Sequence, residues 1–93
     1  MSQTKVGAFD ATRPWQLSSQ VSLRDEAFGA LAYHHGNRRL VFLKSRDLVS
    51  VVRQLEKFES AQACVDAVVA TNQRERYVKA LASLIGSEII CER

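Results

Sequence analysis

Val21 to Ser45 reads VSLRDEAFGALAYHHGNRRLVFLKS, and this stretch decides the fold. Val21 and Leu23 alternate with Ser22 and Arg24, the period of a short half-buried strand. Phe28 to His35 forms a second run and Arg38 to Lys44 a third. Gly36-Asn37 lies between them as a two-residue hairpin signal. Such a turn sets His35 opposite Arg38, Tyr33 opposite Leu40 and Leu31 opposite Phe42. Cross-strand partners share a face, so Leu31, Tyr33, Leu40 and Phe42 form a bulky apolar face. Ala30, Ala32, Val41 and Leu43 form a thinner one, and the bulky face is expected to be the core side. In the same frame Tyr33–Leu40 and Leu31–Phe42 are hydrogen-bonded pairs. Arg39, Val41 and Leu43 then turn their backbone groups off the edge.

Downstream, the period changes from two to that of a helix. Ser45 is placed to cap a first helix in which Leu48, Val51, Val52 and Leu55 share one side. Ser60 can cap a second, short helix carrying Cys64, Ala67 and Val68. Asn72 with Glu75 approximates a capping box for a third, whose apolar stripe is Tyr77, Val78, Leu81, Leu84 and Ile85, with Gly86 near its end. Three strands followed by three helices make an α+β fold, with the helices packed on one side of a three-stranded antiparallel sheet. Residues 1–14 show no period and read as a flexible tail, with Trp15 as its anchor and residues 15–93 as one domain.

The chain has 93 residues, a net charge of +3, 46% hydrophobic and 25% charged residues, values of one small globular domain. No apolar run approaches the ~20 residues of a membrane span, and no secretory signal is visible. Cys64 and Cys91 form neither a CxxC motif nor a disulfide framework, so free thiols in the cytoplasm are expected. Arg38, Arg39, Lys44, Arg46, Arg53 and Lys57 outnumber Asp47 and Glu56 in the middle of the chain. That field suits an acidic partner, and equally a solvated basic face.

Catalytic signals are lacking. His34 and His35 are adjacent on a strand, so they point to opposite faces and cannot chelate one metal together. Asp25-Glu26 has the character of a solvated pair, and Ser18 and Ser19 have no base at a recognisable spacing. No enzyme activity, cofactor or metal is expected. A winged-helix nucleic-acid-binding regulator is the alternative from another class, but Arg76 and Lys79 beside Glu75 are thin against the roughly 6–10 phosphate contacts of many DNA binders. The third strand says more. Arg39 to Leu43 would be an apolar sheet edge with no proline and no inward charge. Either Arg38, Arg39 and Lys44 guard it as gatekeepers, or it is open to an incoming strand. An open edge of this kind also allows a homodimer.

VSLRDEAFGALAYHHGNRRLVFLKSRDLVSVV, from Val21 to Val52, together with YVKALASL from Tyr77, closely resembles the mycofactocin-system peptide-chaperone family over about residues 15–90. His35 departs from it, since an aromatic residue is expected there. The family is similar to the peptide chaperone of pyrroloquinoline quinone biosynthesis, and both are recognition elements for ribosomally made, modified peptides. The resemblance implies a winged-helix-like fold and a short acidic precursor peptide bound as an added strand between the third strand and third helix. It also implies delivery of that peptide to a radical S-adenosylmethionine maturase, with no membrane or nucleic acid involved. The peptide contacts it implies are Arg39, Leu40, Val41, Phe42 and Leu43 on the strand, with Arg74, Tyr77 and Leu81 on the helix, and the local basic charge adds Arg38.

Overall fold

The computed structural model describes residues 9–93. Residues 1–8, most of the expected tail, lie outside the described residues. Strands β2 (Val21–Glu26), β3 (Gly29–His34) and β4 (Leu40–Leu43) form an antiparallel sheet in the order β2-β3-β4. Helices α1 (Arg46–Gln54), α2 (Ala61–Val68) and α3 (Arg74–Gly86) follow, as the change of period predicted. A second, two-stranded sheet pairs β1 (Trp15–Leu17) with β5 (Ile90–Glu92) in antiparallel register, Trp15 opposite Glu92. Three residues are too few for alternation to show, so this pairing has no sequence signature.

The helix starts follow from local chemistry. Ser45 Oγ accepts from Leu48 N and Ser60 Oγ from Ala63 N, each satisfying an orphan amide of the first turn. The expected capping box at Asn72 does not form. A 3₁₀ turn over Thr71–Gln73 leads into α3, and Gln73 N and Arg74 N already bond Ala70 O and Thr71 O. With its entry bonded by backbone, α3 carries no side-chain cap.

At the other end of α3, Ile89 N bonds Leu84 O at 3.1 Å and Glu88 N bonds Ile85 O at 2.9 Å. This is a Schellman closure. Gly86 is the last helical residue, and Glu88 occupies the left-handed position, at φ 60°, where glycine usually sits. Glu88→Gly should therefore raise stability by about 1 kcal/mol, read as a higher urea midpoint with an unchanged m-value.

The sheet puts its thin face, not its bulky one, on the core. Ala30, Ala32 and Leu43 are fully buried, whereas Leu40 and Phe42 are each 54% exposed. The reason is helix approach: α1 packs across β3, and alanine lets it come close enough for Leu48, Val51 and Val52 to fill the space. Leu31 and Tyr33 in those positions would hold it off. Leu55, Val65, Leu81, Ile89 and Ile90 complete the core, each worth about 1.5–3 kcal/mol of burial.

Candidate functional site

β4 is one of the two edge strands of the three-stranded sheet, and the turn before it sets what that edge offers. His34 is only 6% exposed, and its Nδ1 accepts from Gly36 N at 3.0 Å and Asn37 N at 3.1 Å. The imidazole proton therefore sits on Nε2. The buried ring draws the turn inward, and the loop closes through Arg38 N to His34 O, with Arg38 at φ 65°. His35–Arg38 is thus a four-residue connection, not the expected two-residue turn.

The register survives this change, with Tyr33 opposite Leu40 and Leu31 opposite Phe42. The bonded frame does not. His34 N bonds Arg39 O at 2.9 Å, and on the far side of β3 His35 N bonds Gln20 O at 2.8 Å. Bonded pairs alternate along an antiparallel ladder, so Arg39, Val41 and Leu43 turn inward to β3. Leu40 and Phe42 carry the outward N–H and C=O groups, the reverse of the expectation from a two-residue turn.

α3 runs antiparallel beside this edge and is tied across it at both ends. Tyr77 Oη and Ser45 Oγ share a hydrogen bond of 2.8 Å just past the end of β4. Before its start, Arg39 Nη1 donates to Gly86 O at 3.1 Å and Asn37 Nδ2 to Ser87 O at 3.2 Å. Ser45 thus caps α1 and fixes Tyr77 with one hydroxyl. Its capping role is visible in the sequence, its reach to Tyr77 is not.

The other residues singled out from sequence separate. Arg74 Nε and Nη2 donate to Val69 O and Asp66 O at 3.0 and 2.8 Å, fixing the end of α2 and the corner into α3. Leu81 is fully buried in the core, and so is Leu43. Arg38, Arg39, Leu40 and Phe42 are exposed and Val41 is half-buried. Phe28 was not singled out as a site residue. It stands in the two-residue Ala27-Phe28 turn and stacks on Phe42 at a centroid distance of 5.8 Å.

Little here is equipped for bond chemistry. Both cysteines are free. Burial pushes the Cys64 thiol up to about 11, and it donates to Val51 O at 3.4 Å inside the core. His34 is committed to the turn, and His35 bonds Ser22 Oγ at 2.7 Å on the opposite face. Among the described residues no group of three or more His, Cys, Asp or Glu could hold a metal, and no helix is long and apolar enough to cross a membrane.

The profile of the family described as "Peptide chaperone MftB family" matches residues 14–91. "Peptide chaperone MftB" of Mycobacterium ulcerans is 45% identical over 86 residues, covering 91% of this chain and 79% of that protein. The protein of the same name from Mycobacterium tuberculosis is 42% identical over 86 residues, with the same 91% and 79% coverage. That of Mycolicibacterium smegmatis is 42% identical over 83 residues, covering 88% of this chain and 81% of the relative. No solved structure shows a significant match.

Proposed function

The chain belongs to the peptide chaperone MftB family, and from that premise we propose a non-enzymatic peptide chaperone of mycofactocin biosynthesis that works in the cytoplasm. It takes up a short acidic precursor peptide as a strand added to β4 and hands it to a radical S-adenosylmethionine maturase. The observation that carries the added strand is the open β4 edge, which has no proline and presents the outward backbone groups of Leu40 and Phe42.

Magnitudes decide what else the site must supply. Two outward residues make about four ladder bonds, roughly 2–6 kcal/mol at about 0.5–1.5 each. Ordering a free peptide costs about 2–5 kcal/mol, and micromolar binding needs about 8. Backbone pairing alone falls short, so side chains must supply most of the affinity. In this reading Leu40, Phe42 and Tyr77 contact the peptide, Val41 and Leu43 hold the edge in the ladder, and Leu81 backs the α3 wall. Arg74 fixes the corner on which Tyr77 stands. Arg38 and Arg39 draw in the acidic peptide, and the Arg39–Gly86 and Ser45–Tyr77 ties yield to it.

Amide hydrogen exchange with the synthetic precursor peptide tests this. At saturating peptide the Leu40 and Phe42 amides should exchange at least tenfold more slowly, while Val41, already in the ladder, changes little. Protection elsewhere with β4 unchanged would remove the added-strand reading.

A further inference from the structure

The outward face of the β2-β3-β4 sheet is not covered by any element of the described fold. Cross-strand partners share a face, so Ser22 and Arg24 of β2, Leu31 and Tyr33 of β3, and Leu40 and Phe42 of β4 lie together on it. Phe28 adds its ring by stacking on Phe42. A shallow depression of about 410 Å³ opens on this face between Leu31, Tyr33 and Leu40. Phe28, Leu40 and Phe42 are 41%, 54% and 54% exposed. At about 200 Å² for a large side chain, they alone offer on the order of 300 Å² of apolar surface. That matches the largest patch on a typical monomer, which is often functional.

We propose that this face docks the enzyme that modifies the captured peptide, through a surface with an apolar centre and an acidic rim. The proposal rests on the chaperone reading above. The charge of the rim selects this occupant over a second copy of the chain. The patch is well short of the roughly 800 Å² that each partner gives to a standard interface, so it serves as a centre needing a rim. The exposed cations at the two ends of β4, Arg38 and Lys44, lack an ion-pair partner among the described residues, while Arg24 is neutralised by Glu26 at 2.7 Å. A like-charged rim opposes self-pairing and favours an acidic one.

The face is also continuous with the peptide edge. Peptide residues seated opposite Leu40 and Phe42 point their side chains to this same side. Loading therefore extends the apolar face by one strand, and the enzyme meets chaperone and peptide as one surface. Its affinity should rise on loading, and by linkage it should tighten peptide binding by the same factor.

The test uses the full chain, the purified radical S-adenosylmethionine maturase and the synthetic precursor peptide. Phe28→Ser/Leu31→Ser removes apolar surface away from the β4 backbone. It should weaken maturase binding at least tenfold and leave peptide affinity within twofold of the parent. Each single variant should lose about threefold or more, which keeps the test decisive if the double variant folds poorly. Parental maturase affinity in the variants overturns the proposal. An equal loss of peptide affinity makes the face part of the peptide site and also overturns it. So does a parent dimer that the variants convert to monomer. Failure of the parent to bind peptide at all would instead remove the chaperone reading.

Discussion

Gly29→Ala should leave little folded protein. Gly29 opens β3 at φ 149°, directly under the junction of β4 and α1. A Cβ there would lie 2.1 Å from Leu43 O and 2.9 Å from Ser45 N, both backbone atoms that no rotamer change can move. The disallowed φ and the overpacking each cost about 1–3 kcal/mol, and the direct backbone clash puts the sum near the upper end. A domain of this size has roughly 5–10 kcal/mol in total. The expected result is loss of the cooperative thermal transition, or a fall in Tm of more than 15 °C, about two to four times the shift of ~4–8 °C per kcal/mol in a small domain. Gly86→Ala is the control, because a Cβ at Gly86 meets nothing within 4 Å. A Gly29→Ala protein melting near the parent would show that the β4–α1 junction yields.

Two proline variants one residue apart should behave oppositely. Leu40 N points off the edge, so Leu40→Pro removes no inner ladder bond, and edge positions tolerate proline. That variant should fold, with peptide binding weakened at least tenfold. Val41 N points inward to β3, and Val41→Pro deletes a central rung of β3–β4 and leaves its acceptor unpaired, costing about 1–3 kcal/mol. It should lower Tm strongly. Circular dichroism melts and calorimetric peptide titrations of both variants check this. The reverse outcome, a stable Val41→Pro protein that no longer binds, would restore the two-residue-turn frame.

That contrast also shows where sequence reading stops. The pairing of Tyr33 with Leu40 depends on the sum of positions, which a two-residue and a four-residue turn centred on Gly36-Asn37 share, so the register was legible. Which backbone groups face outward depends on turn length. Here that is set by burial of the His34 ring, a tertiary event with no local signal. Ser45 and Ser60 announced α1 and α2 because capping is local chemistry, whereas Asn72 was pre-empted by a 3₁₀ turn. By the rule that large apolar residues fill cores, the bulky sheet face belongs inward. The structure spends its alanines there instead, because α1 has to sit close to β3. At the candidate site the sequence places Leu40 to Leu43 on one strand, as found, but not the division between exposed Leu40 and Phe42 and buried Leu43. On α3, spacing alone could not set Tyr77, tied to Ser45, apart from Leu81, buried in the core.

The clasp between β1 and β5 has a kinetic consequence. The hairpins of β2, β3 and β4 close over a few residues, whereas pairing Gln16 with Cys91 closes a loop of about 75 residues, at a far larger entropic cost. The clasp should therefore be the last piece to assemble, after the meander and helices supply the surface on which it rests. Trp15, the single tryptophan, sits inside that clasp against Phe9 at 5.0 Å. Intrinsic fluorescence thus reports the final docking step, while the far-ultraviolet dichroism of the helices reports the earlier one, and the two clocks should not run together in refolding.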